Sequence, residues 1–459
     1  MSPWLPRWEP ENPEFWKKTG SKIAWRTLFI TTVGLTFSFA TWFVVSALVV
    51  RLPGIGFSFT STQLFWLAAM PGLAGGTLRI LHTFLIPLYG TRHVLTYSAL
   101  AKLIPCVGLG LAVMNPGTPF WIFVLLALSA GLGGGDFSSH MPSTSLFFPK
   151  RLQGTALGIQ AGVANFGVSL TQFVTPWIIG FALFGSFAGT HQIFTKINPM
   201  TKEVISSSWI WLQNATFWYI PFLIAGGFIC WNFSSSIPIK SPVKEQLDIF
   251  KNKHTWFCTL TYFMTFGSFS GLAATFPLMI NGVYGNFPNA PDPLKYAFLG
   301  PLVGSAMRVI FGPIADKVGG GILTNIAGLG LITGCMVMVF GGILTPTSLN
   351  TFPYFVITML GLFFFSGMGN ASTFQQYPII FGHSPRQAAG VLGWTAAVAA
   401  YGPFIFSSLI GMIVAITGNA KIFFVGLALF CAIATLINGW FYTRKGCKTP
   451  KLISPIPMS

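Results

Sequence analysis

Charge is what this sequence has least of. Only 8% of its 459 residues are charged, and Asp and Glu together number 9. A soluble domain of this length carries about a quarter charged residues. The six cysteines (Cys106, Cys230, Cys258, Cys335, Cys431, Cys447) show no CxxC spacing, and five fall in apolar runs, which argues against a disulfide framework or a metal site. HExxH, GxSxG and Walker A strings are absent. Gly131-Leu-Gly133 and Gly367-Met-Gly369 lack the third glycine of a dinucleotide fingerprint. Neither an enzyme nor a cofactor is expected. No secretory leader is visible either, since the first apolar run, Leu28 to Val50, is too long for a signal core and reads as a first span.

What the sequence has in abundance is apolar length. Hydrophobic residues make up 53% of it, and mean hydropathy is +0.67. Runs long enough to cross a hydrocarbon core of roughly 30 Å recur throughout. They give twelve spans: 27–50, 63–89, 94–114, 119–147, 154–184, 215–233, 255–281, 293–316, 321–345, 353–381, 388–417 and 421–442. The net charge of +17 follows this topology. With the N-terminus inside, the basic clusters at Lys17 to Arg26, Lys150 and Arg151, Lys240 to Lys253 and Arg444 to Lys451 are cytoplasmic. Arg51, Lys196, Lys202, Lys295 and Lys421 lie outside. That asymmetry is the positive-inside rule, so the basicity points to membrane orientation and away from nucleic acid. Both termini are expected in the cytoplasm and the spans in the inner membrane.

The chain repeats itself. Gly75, Arg79 and Gly90 recur 229 positions later as Gly304, Arg308 and Gly319. Arg151, Gly158 and Gly167 recur 235 positions later as Arg386, Gly393 and Gly402. Gly131 and Gly133 recur 236 positions later as Gly367 and Gly369. Three helix pairs thus agree on a six-plus-six duplication. The expected organisation is a first bundle over 1–233, a polar cytoplasmic linker over 234–254 and a second bundle over 255–459. An all-α polytopic protein of two pseudo-symmetric six-helix bundles is the major facilitator fold. Gly312-Pro-Ile-Ala-Asp316-Lys317-Val-Gly319 resembles that superfamily's short cytoplasmic loop motif. The first-half counterpart, Tyr89-Gly90-Thr-Arg92-His93, has no acidic residue.

Ionisable side chains at bilayer depth are costly and therefore functional candidates. Here they are Arg79, Lys102, Asp136 and Arg308, with His82 and His140 nearby. Each arginine lies 11 residues from its cytoplasmic glycine, roughly 16 Å inward at 1.5 Å per residue, which is near the midplane. A pair of guanidiniums there favours an anion, and their planar forks suit a planar oxoanion. Helix-end capping or snorkelling is the competing reading. The span-five string Gly158-Ile-Gln160-Ala-Gly162-Val-Ala164-Asn165-Phe166-Gly167-Val-Ser169 places Asn165 at the depth of Arg79, as an oxyanion donor or as an interhelical packing amide. Phe39, Phe137, Tyr262 and Phe266 fall on spans one, four and seven, which line the cavity in this architecture.

Together these residues resemble the nitrate/nitrite porter family of the major facilitator superfamily, nearly end to end. The resemblance includes Trp8-Glu-Pro10-Glu-Asn-Pro13-Glu-Phe15-Trp16, Thr265-Phe266-Gly267-Ser268-Phe269 before Gly271, and Phe147-Phe148-Pro149-Lys150. It implies that Arg79 and Arg308 clamp nitrate, that Asn165 and Tyr262 hydrogen-bond it, and that Phe39, Phe137 and Phe266 pack around it. The implied partners are nitrate, nitrite and membrane lipid, and the implied transport unit is a monomer. Several positions depart from the family. Ala161, Val163 and Ala164 dilute the span-five glycines, Ala399-Ala-Tyr401-Gly402-Pro403 is glycine-poor, position 136 is Asp where an amide is usual, and Lys102 and His140 stand at uncharged positions. Asp136, Lys102 and His140 are accordingly the candidates for ion coupling. An Asp136–Lys102 pair leaves the arginine charge intact and predicts obligate nitrate-for-nitrite exchange. A free Asp136 predicts proton symport, and a porter for another small anion is the further alternative.

Overall fold

The computed structural model describes residues 4–197, 203–237 and 243–444. Lys202, Lys240 and the basic tail beyond Arg444 lie outside the described residues. Among the described residues, twelve helices of membrane length follow one another: α1 Pro13–Leu48, α2 Ser61–Thr83, α3 Leu88–Val113, α4 Phe120–Phe147, α5 Lys150–Ile178, α6 Asn214–Phe233, α7 Lys253–Tyr284, α8 Leu294–Val318, α9 Gly320–Phe340, α10 Leu349–Ile380, α11 Gln387–Thr417 and α12 Lys421–Thr443. All except α5 are also apolar enough to cross a membrane. Helix α5 has the length, 29 residues, but Gln153, Gln160, Asn165 and Gln172 lower its hydropathy. A spanning helix keeps such amides only where they face protein, and Gln160, Asn165 and Gln172 are all buried.

The chain divides into two compact units. The first comprises Met1–Phe57, Met70–Phe194 and Ser208–Glu245, the second Ser58–Ala69, Thr195–Ser207 and Gln246–Ser459. Equivalent devices build both. Gly90 and Gly319, the repeated glycines, have φ of 76° and 101°; Gly90 breaks the helical run near the start of α3, and Gly319 turns the chain between α8 and α9. Only glycine adopts such angles without strain. A Cβ on Gly131 would sit 2.7 Å from the backbone nitrogen of Gly75, and one on Gly367 2.7 Å from the Cα of Gly304. The same close approach therefore joins α2 to α4 and α8 to α10, and small residues permit it.

The N-terminal signature is a helix start that docks on α4. Asn12 caps the helix by accepting from the backbone of Glu14 and Phe15, with Pro13 at the first helical position. Trp8 Nε1 donates to the Leu146 carbonyl at 3.1 Å, and Trp16 packs on Phe148. Three features differ from the sequence reading. Helix α5 ends at Ile178 rather than near 184, because Trp211 N and Asn214 Nδ2 take up the Ile179 and Phe181 carbonyls. Helix α9 ends at Phe340 rather than 345, at Gly341 and the left-handed Gly342. Between α5 and α6, where the sequence reading placed no element, β1 Gln192–Ile197 pairs with β2 Val204–Ile210.

Gly367→Val should force α8 and α10 apart, at about 1–3 kcal/mol for an overpacked contact. Gly361→Val, on the same helix with nothing within 4 Å of its Cβ position, is the control. Melting temperatures in detergent should fall for the first variant only.

Candidate functional site

Arg79 is carried by α2 into the interior of the first unit, where it is 0% exposed. Gly75, one turn earlier, and Gly131 and Gly134 on α4 bring the two backbones close enough for the guanidinium to reach α4. Its Nε donates to the Gly134 carbonyl at 2.8 Å. Aromatic rings surround its Cζ: Phe137 at 4.7 Å, Trp42 at 5.2 Å and Phe39 at 5.9 Å. Trp42 is held in turn by an Nε1 bond to the Pro71 carbonyl at 2.8 Å. Desolvated cation–π contacts of this kind contribute up to about 2 kcal/mol each, which partly offsets burial of the charge.

The second unit repeats the plan with different residues. Arg308, 5% exposed on α8, lies over Phe374 at 4.9 Å and Phe266 at 5.8 Å. Its Nη2 lies 3.5 Å from the Tyr262 hydroxyl, a long bond, and its Nη1 has no hydrogen-bond partner. Tyr262 stacks on Phe266 and Phe374 at centroid distances of 5.5 and 4.7 Å. A π-helical turn over Phe263–Gly267 interrupts α7 here, a departure that recurs at functional sites. Asn165, on α5 of the first unit, is 1% exposed and neither of its amide atoms has a partner, so the packing bond that would make it purely structural is not formed.

A second ionisable cluster lies in the first unit. Lys102 Nζ is 2.5 Å from Asp136 Oδ2, and both are buried. Ser38 donates to the same oxygen at 2.5 Å, and Ser98 donates to Oδ1. Lys102 also donates to the Ser98 carbonyl at 2.9 Å. His82 Nδ1 lies 3.7 Å from Oδ1 and 3.2 Å from Ser139 Oγ. His140 Nδ1 meets the Asp136 carbonyl at 2.9 Å, one turn along α4.

The family model for the Major Facilitator Superfamily matches residues 28–379. A probable nitrate/nitrite antiporter, NarK2 of Thermus thermophilus, is 58% identical over 447 residues, 97% of this chain and 98% of that protein. The chain belongs to the nitrate/nitrite porter family of the major facilitator superfamily. The nitrate/nitrite transporter NarU of Escherichia coli K12 is 34% identical over 95% of this porter and 96% of its own length. Among solved structures, a bacterial homologue of the human lysosomal transporter Spinster matches with a TM-score of 0.61 at 15% identity, over 91% of the porter and 96% of that chain. That likeness concerns the fold alone. The porter is an integral membrane protein and not an enzyme.

Of the residues singled out from the porter's sequence, the structure groups Arg79 with Phe39 and Phe137, Arg308 with Tyr262 and Phe266, and Asp136 with Lys102 and His140. Asn165 makes no hydrogen bond to any of them. Sequence reasoning passed over Trp42, Phe374, Ser38 and Ser98. Trp42 lies one turn from Phe39, and Ser98 one turn from Lys102, so helical spacing carried a signal for both.

Because Asp136 and Lys102 are a buried pair, removing one partner should cost on the order of 3–5 kcal/mol, whereas replacing both is often near neutral. Asp136→Asn and Lys102→Leu should each reduce the yield of monodisperse porter on size exclusion. The double variant should restore it. A double variant as poor as either single one would contradict the pairing.

Proposed function

We propose that the porter takes up nitrate in exchange for nitrite by alternating access, in the cytoplasmic membrane, as a monomeric transport unit with both termini in the cytoplasm. The observation that carries this reading is a division of charge. Asp136, the carboxylate at bilayer depth, is engaged by Lys102, Ser38 and Ser98. Arg79 and Arg308 instead present guanidiniums over aromatic rings. A buried cation favours a ligand that brings negative charge. Nitrate and nitrite are planar or bent oxoanions that a guanidinium fork can hold through two parallel N–H bonds. The names of NarK2 and NarU point to the same two anions.

In this reading Tyr262 adds a hydroxyl beside Arg308, Phe39, Phe137 and Phe266 exclude water from the anion, and Asn165 donates an amide N–H from α5. The Asp136–Lys102 pair holds α3 against α4 and carries no proton. Proton symport is the competing reading, and it makes Asp136 the proton carrier with His82 and His140 beside it.

Lysine keeps the charge of arginine but has no planar fork. Arg79→Lys and Arg308→Lys should therefore each lower radiolabelled nitrate uptake into nitrite-loaded proteoliposomes to less than about a tenth of wild type, the scale of one lost charge-assisted bond. Wild-type-like uptake by both variants would reject a guanidinium site. Failure of the unmodified porter to exchange the two anions would reject the function itself.

A further inference from the structure

We propose that Asn370 is a further anion-binding residue, an amide donor to the oxoanion held at Arg308. The proposal rests on the nitrate/nitrite reading and adds to it a residue that no motif singled out. Its first support is the internal repeat. Position 370 lies 236 residues after Gly134, the shift that relates Gly131 to Gly367, and Arg308 lies 229 after Arg79. The structure keeps this register in both units, since Gly131 packs on Gly75 and Gly367 packs on Gly304. In the first unit, Gly134 supplies the carbonyl that accepts from Arg79 Nε at 2.8 Å. By the repeat, residue 370 has the corresponding place on α10. Where the first unit has a glycine, the second has a carboxamide.

The second support is the state of that carboxamide. Asn370 is 0% exposed, and neither Oδ1 nor Nδ2 has a hydrogen-bond partner. Arg308 Nη1 is also without one. A buried amide left in this condition is unfavourable, and native structures keep few of them. Phe374, one helical turn along α10 from Asn370, lies under the guanidinium at 4.9 Å, which turns this face of α10 toward Arg308. The amide and Nη1 do not bond each other. Two unspent donors, one on α8 and one on the face of α10 that Phe374 turns toward it, suit a third group that accepts from both, as an oxoanion does.

The inference also makes the two halves chemically unequal. Asn165 supplies an unpartnered buried amide on α5, and its repeat position, 400, is alanine. Asn370 supplies one on α10, and its repeat position is glycine. Each half thus has one arginine and one amide, drawn from different helices.

The test uses the full-length porter purified in detergent. Nitrate Kd is measured by calorimetric titration, and the melting temperature is measured with and without saturating nitrate. Asn370→Ala should raise the nitrate Kd about tenfold, the usual effect of losing one hydrogen bond to a charged group. It should also shrink the nitrate-induced rise in melting temperature while leaving the nitrate-free value near wild type. Asn370→Asp has the same shape but sets a carboxylate beside Arg308, and it should abolish binding. If Asn370→Ala is not recovered folded, Asn370→Asp carries the test alone. Wild-type Kd in either variant overturns the proposal, as does a lowered nitrate-free melting temperature with an unchanged nitrate-induced rise. Absence of nitrate and nitrite binding by the unmodified porter would instead overturn the function.

Discussion

A guanidinium held in hydrocarbon is the constraint on which the rest of this structure depends. Such a charge persists only where protein groups replace water around it. The close glycine contacts between α2 and α4 and between α8 and α10 serve that end. They remove side chains from the helix seams, so that Arg79 reaches an α4 carbonyl and Arg308 a face of α10 lined by Phe374. The aromatic rings then stabilise the cations through their faces while contributing no negative charge. In the proposed function, an anion would complete the environment of Arg308, whose Nη1 has no hydrogen-bond partner.

The Asp136–Lys102 pair follows from the same constraint, with the opposite outcome. Here two charges and two serine hydroxyls satisfy one another, and the group is electrically neutral when His82 and His140 are neutral. In the proposed exchange, each arginine would meet an anion in both directions of movement.

Much of this was legible in the sequence, for identifiable reasons. The duplication could be read because Gly75, Arg79 and Gly90 keep their spacing in Gly304, Arg308 and Gly319. The structure explains the spacing by a packing contact, a buried charge and a positive-φ glycine. Depth along neighbouring helices was enough to suggest that Asp136 and Lys102 meet. Rotation about the helix axis was less legible. Which of 47 phenylalanines faces a guanidinium depends on a few tens of degrees, so Phe374 and Trp42 were missed while Phe39, Phe137 and Phe266 were singled out. Ser38 and Ser98 were missed because serine is common in membrane helices and most often bonds its own backbone. The β1–β2 hairpin escaped because its pairing joins residues across an interrupted, mixed-polarity stretch. The ends of α5 and α9 shifted because apolar runs continue past the residues where the backbone turns.

The most direct test of the central claim is nitrate efflux from proteoliposomes loaded with labelled nitrate, with membrane voltage set by a potassium gradient and valinomycin. The account predicts negligible efflux into anion-free medium at any voltage, and rapid, voltage-independent efflux once nitrite is added outside. Sustained efflux without an external anion, driven by voltage or by a pH gradient, would contradict it.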